Sequence, residues 1–182
     1  MQVRSYRDPR APEQVVQTKN PFLSDAVYAE VVQKMPIPCT DVAFTIAGDR
    51  ALYLAHRNIY PQPHIWVIGG RFFFNDETPA HAIARCVKRE AGLDIALERF
   101  QFVFAAYYSW TRVTQGEHGG KNLSLTFACE ITPEEKERIS SSLVASEYLP
   151  GFGLQRFDRK RLVDEKCHPV LLDLFDALYP AA

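Results

Sequence analysis

Apolar and polar positions divide the chain into short segments with clear punctuation. Ser24 can cap a short helix over residues 25–34, with Ala26, Tyr28, Val31 and Val32 as its apolar positions, and Pro36 and Pro38 stop it. Residues 40–47 read as a strand that Gly48-Asp49 turns into a second over 51–56. Tyr60-Pro61-Gln62-Pro63 forms a rigid turn, and the near-continuous apolar run 65–69 reads as one central strand. Thr78 and Pro79 then open a helix whose apolar stripe is Ala80, Ile83, Ala84, Val87 and Ala91, and Gly92 closes it. His81, Arg85, Lys88, Arg89 and Glu90 lie off that stripe.

Two more strands follow, over 99–110 and 122–131, joined by a loop with Gly116, Gly119 and Gly120. Thr132-Pro133-Glu134-Glu135 is a capping box for a short polar helix. A short strand at 154–157 and a closing helix over 168–179 complete the pattern. Val170, Leu171, Leu174, Phe175 and Leu178 share one face of that last helix. Antiparallel strands with two or three packing helices make a mixed α/β domain.

Composition narrows this picture only a little. A chain of 182 residues, 47% hydrophobic and 24% charged, suits one globular domain. Residues 1–22 are polar with three prolines and read as an N-terminal arm; residues 23–182 form the domain. The net charge of -1 offers no general attraction to nucleic acid, and no basic stripe runs along any segment, so no nucleic-acid partner is expected. No apolar run suits a membrane span or a signal peptide. Cys39, Cys86, Cys129 and Cys167 lack zinc spacing and read as reduced thiols of a cytoplasmic protein.

The stretch from Gly69 to Leu93 carries the chemistry: Gly69-Gly70-Arg71, then Asp76-Glu77-Thr78, Arg85 and Glu90-Ala91-Gly92-Leu93. It resembles the signature of the Nudix hydrolases, GX5EX7REUXEEXGU, with U an aliphatic residue. Arg85 falls on the motif Arg, Val87 on the aliphatic position, Glu90 on the last Glu and Glu77 on the early one. Cys86 and Arg89 replace two other glutamates, and six residues rather than five separate Gly70 from Glu77. The resemblance is nearest to the GDP-mannose mannosyl hydrolase branch, which also lacks glutamates. Asp41-Val42-Ala43-Phe44 and His56-Arg57-Asn58 are similar to segments of that branch as well.

The resemblance implies a Nudix-type α/β/α sandwich with a mixed β-sheet and a hydrolase of nucleoside-diphosphate sugars. It implies Mg²⁺ or Mn²⁺ held by Glu90, Glu77 and the Gly70 carbonyl. Cys86 reads as a small buried helix residue rather than a ligand. Arg57 would meet the leaving diphosphate and Arg71 the transition-state charge near the sugar, Arg85 would order the site through Glu77 or another carboxylate, and Asp41 would lie near the sugar. The branch's loop histidine is absent from residues 145–153, which leaves Glu147 as the general base, with His118 as runner-up. Tyr107, Tyr108 and Trp110 are candidates to stack on a base. Attack at the anomeric carbon would release a nucleoside diphosphate. The alternatives are P–O–P cleavage of a nucleotide sugar or dinucleotide, and a domain that binds a nucleotide sugar without cleaving it. A homodimer is expected from similar enzymes.

Overall fold

The computed structural model describes residues 23–113 and 119–180. The expected arm (residues 1–22) and His118 lie outside the described residues. Ser24 caps α1 (Asp25–Lys34), its side chain accepting from the Val27 N–H. β1 (Ile37–Ile46) turns through Gly48 into β2 (Asp49–His56). β1 therefore starts three residues before the expected position, running through Pro38.

The apolar run 65–69 is not one strand. β3 (Ile65–Trp66) pairs with β2, and β4 (Ile68–Arg71) pairs with β1. The chain changes partner at Val67, and Ile65, Trp66, Val67 and Ile68 are all buried, so apolar continuity reports burial rather than unbroken pairing. α2 (Pro79–Ala91) begins and ends as the sequence dictates. Thr78 accepts from the His81 N–H at 3.2 Å, and Gly92 takes a φ of 63°. β5 (Phe100–Trp110) and β6 (Gly120–Glu130) form a long antiparallel pair. α3 (Pro133–Ser142) opens on a complete capping box between Thr132 and Glu135. β7 (Gln155–Phe157) pairs with β2. α4 (Arg159–Asp164) has no counterpart in the hydrophobic pattern; Asp158 caps it by accepting from the Arg161 N–H at 2.9 Å. α5 (Pro169–Leu178) closes the chain.

The sheet runs β3-β2-β1-β6-β5, with β4 beside β1 and β7 beside β2. β1 and β6 are parallel, with Asp41 opposite Thr126, and the other pairs are antiparallel. Alternation along the strands feeds two cores. Val42 and Phe44 of β1 and Ala51, Tyr53 and Ala55 of β2 pack with Ile83, Cys86 and Val87 of α2 and Ile139 of α3. Ala43, Leu52 and Leu54 face the other way, against Leu162 of α4 and Leu171, Leu174 and Phe175 of α5. This is the α/β/α sandwich with a mixed sheet that the sequence led us to expect. No helix of the described residues is long and apolar enough to cross a membrane, and all four cysteines are free.

Candidate functional site

Backbone pairing creates the site. Gly69 sits opposite Asp41 in the β1–β4 pair. A Cβ at Gly69 would lie 2.3 Å from both Asp41 Oδ1 and the Thr40 carbonyl oxygen, so only glycine allows the approach. A cleft of about 220 Å³ opens beside this pair. Its wall carries Asp41, Arg57, Gly70, Arg71, Tyr108 and Glu147, and the sequence named all six. Arg89, Trp66, Trp110, Tyr60, Tyr28 and Ser124 also line it.

Asp41 is buried, and its Oδ2 accepts a 2.5 Å hydrogen bond from Ser124 Oγ. Burial pushes its pKa from 3.8 up to about 6, against the opposing effects of the Ser124 hydroxyl and the Arg57 charge. Arg57 is held by its backbone: its N–H donates to the His64 carbonyl at 2.9 Å, and it bridges to Tyr148. Arg57 Nη2 lies 3.5 Å from Glu147 Oε2, and its Nε is buried without a hydrogen-bond partner among the described residues. Arg71 ends β4 and lays its guanidinium over the Tyr28 ring at 4.0 Å. Tyr108 stacks on Trp110 with centroids 5.0 Å apart, and both meet Trp66 edge-on. Tyr108 is thus a buried member of an aromatic wall, whereas Tyr107 is exposed.

Arg85 and Glu77 lie outside the cleft wall. Arg85 makes a bidentate pair with Asp76, Nε to Oδ1 at 2.8 Å and Nη2 to Oδ2 at 2.7 Å. Its Nη2 also donates to the Arg71 carbonyl at 3.0 Å, and the guanidinium covers the Phe73 ring at 3.7 Å. The carboxylate that Arg85 meets is thus Asp76, and the pair ties the loop after β4 to α2. Glu77 is exposed at the foot of this loop. Neighbours in sequence carry the two carboxylates, and no local pattern distinguishes them.

Glu90 lies off the apolar stripe of α2 yet is only 1% exposed. The Tyr148 hydroxyl donates to its Oε2, and the Arg89 guanidinium pairs with its Oε1. Burial and the nearby Glu147 charge raise its pKa, while Tyr148, Arg89 and Arg57 act the other way. Cys86 is fully buried, as expected, and its thiol is pushed up to about 12 by desolvation. Sequence reasoning passed over Tyr148. It treated Arg89 only as a lost glutamate, although Arg89 follows Arg85 by one helical turn and so shares its side of α2.

These donors do not fit the Mg²⁺ that the resemblance implies. Glu90 already has a partner on each oxygen, and Glu77 is exposed and not part of the cleft wall. Among the described residues, no group of three or more His, Cys, Asp or Glu side chains is placed to hold a metal ion.

No protein-family model and no curated protein matches the sequence. Solved structures do match. The Nudix domain of Shewanella oneidensis NrtR complexed with ADP ribose is 11% identical, with a TM-score of 0.56 over 86% of this chain and 97% of that one. The E. coli dihydroneopterin triphosphate pyrophosphohydrolase is 14% identical, with a TM-score of 0.53 over 79% of this chain and 96% of that one. S. oneidensis NrtR complexed with a 27mer DNA is 11% identical, with a TM-score of 0.54 over 76% of this chain. The match spans 58% of the length of that NrtR chain. This last match corrects one expectation: the net charge and the lack of a basic stripe excluded a nucleic-acid partner, but a protein of this fold is found on DNA, so neither is ground for that exclusion. At these identities the likeness shows architecture alone: the chain has the fold of the Nudix hydrolases.

Proposed function

We propose that the cleft binds a nucleoside-diphosphate sugar and hydrolyses it at the anomeric carbon, GDP-mannose being the first compound to test. The observation that carries this reading is the convergence of Arg57, Arg71 and the buried Asp41 carboxyl on one aromatic-walled cleft. The two guanidiniums suit a diphosphate, because their planar N–H donors match its oxygens and offset the charge that grows on departure. Trp66, Tyr108 and Trp110 supply apolar area for the sugar or base. The ADP ribose and triphosphate compounds named for the matching structures support a ligand of this class.

Asp41 takes the role of general base in this reading, and Glu147 holds Arg57. Asp41 combines burial in the cleft with a pKa near the working range of a base. Water loses a proton to the Asp41 carboxylate, and its oxygen bonds to the anomeric carbon. The bond from that carbon to the diphosphate oxygen breaks, and the electron pair leaves with the nucleoside diphosphate. Arg57 and Arg71 receive that charge.

A second reading is binding without turnover. The Arg89–Glu90 pair favours it, since it engages the carboxylate on which the signature's metal chemistry rests. ³¹P NMR of the protein with GDP-mannose separates these readings. GDP supports the proposal, GMP with mannose 1-phosphate supports P–O–P cleavage, and a bound but unchanged sugar nucleotide supports the binding domain.

A further inference from the structure

Arg89 occupies an unusual place. It lines the cleft, and its Nη2 would lie 3.5 Å from a Cβ built at Gly70. The same nitrogen pairs with Glu90 Oε1. The side chain of Glu90 is 1% exposed and that of Arg89 46%, so the pair reaches from the core to the cleft. Arg85, the other guanidinium on this side of α2, is drawn off by Asp76 and leaves Glu90 to Arg89. A buried carboxylate needs a counter-charge, and here a covalently attached cation provides it.

We propose that Arg89 is the resident cation of this site: its guanidinium engages the Glu90 carboxylate that the signature assigns to a divalent metal, and it presents its remaining N–H donors to the ligand's diphosphate. This rests on the reading of the cleft as a diphosphate site. Guanidinium carries five N–H donors in a fixed fork, so a contact to Glu90 leaves others for a phosphate oxygen. The consequence is a diphosphate site that works without added metal. A single substitution, Arg89→Glu, then restores an adjacent pair of glutamates beside the Gly70 backbone.

The test uses GDP as probe by isothermal titration, in EDTA and in Mg²⁺, together with Mn²⁺ alone by EPR. The proposal expects wild type to bind GDP equally in both buffers and to hold no tight Mn²⁺. Arg89→Gln should weaken GDP binding about tenfold or more in EDTA, the loss of one charge-assisted hydrogen bond. Arg89→Glu should weaken it similarly in EDTA and gain bound Mn²⁺. Wild type that takes up stoichiometric Mn²⁺, or that needs Mg²⁺ to bind GDP, would overturn the assignment of Arg89 while leaving the cleft as a diphosphate site. Wild type that binds no GDP in either buffer would sink the diphosphate reading itself, and with it the proposed role of Arg89. The wild-type arms need no variant to fold, and circular dichroism checks the two variants.

Discussion

Asp41→Asn should make the protein more stable and inactive at once. In the unfolded chain Asp41 loses its proton near 3.8; in the folded chain burial holds the proton up to about 6. Between those values the folded state binds more protons than the unfolded one, so stability falls as pH rises through this window. The shift of about two units corresponds to about 3 kcal/mol once the pH is well above 6. The same linkage leaves about half of that near pH 5 and almost nothing below the unfolded value. The amide is isosteric, can keep a hydrogen bond to Ser124 and carries no charge to bury. Urea unfolding of both proteins near pH 5 and pH 7.5 therefore should show the variant ahead by about 1.5 and then about 3 kcal/mol. Turnover of the sugar nucleotide should be lost at both. A pH-independent stability difference, or a variant less stable than wild type near neutrality, would refute the argument that Asp41 is a buried charge kept for chemistry.

Three other outcomes follow from the same geometry. Wild-type kcat/KM should fall below about pH 6, as Asp41 takes up its proton, and should level above it; a profile flat from pH 5 to 8 would exclude Asp41 as base. Tyr148→Phe keeps the packing but strips Glu90 Oε2 of its donor, which should cost about 1.5–3 kcal/mol in urea unfolding. Gly69→Ala places a methyl group against Asp41 Oδ1 and the Thr40 carbonyl and should cost about 2–3 kcal/mol, read as a lower Tm, with activity falling further as Asp41 is displaced.

The helices were legible because their signals are local. Thr78, Pro79 and Gly92 mark both ends of α2, and Thr132 with Glu135 marks the start of α3. The break at Val67 was not legible, because a buried run looks the same whether it pairs with one neighbour or with two. α4 went unread, because a helix of six residues is too short to display a period. In the site, the glycines and arginines of the Gly69–Leu93 stretch were readable by spacing. The hydroxyl donors of the two buried carboxylates come from elsewhere in the chain. Ser124 reaches Asp41 across 83 positions, and Tyr148 reaches Glu90 across 58. Glu90 illustrates the limit: its place off the stripe gave no sign of burial, yet it is 1% exposed and paired with Arg89 and Tyr148.

The most direct test of the proposed chemistry is to run the reaction with GDP-mannose in H₂¹⁸O and read the products by ³¹P NMR. Attack at the anomeric carbon predicts GDP whose phosphorus signals show no isotope shift, because water's oxygen goes to the sugar. An ¹⁸O-shifted phosphate signal would place the attack at phosphorus and contradict the roles of Asp41 as base and of Arg57 and Arg71 as acceptors of the leaving group's charge.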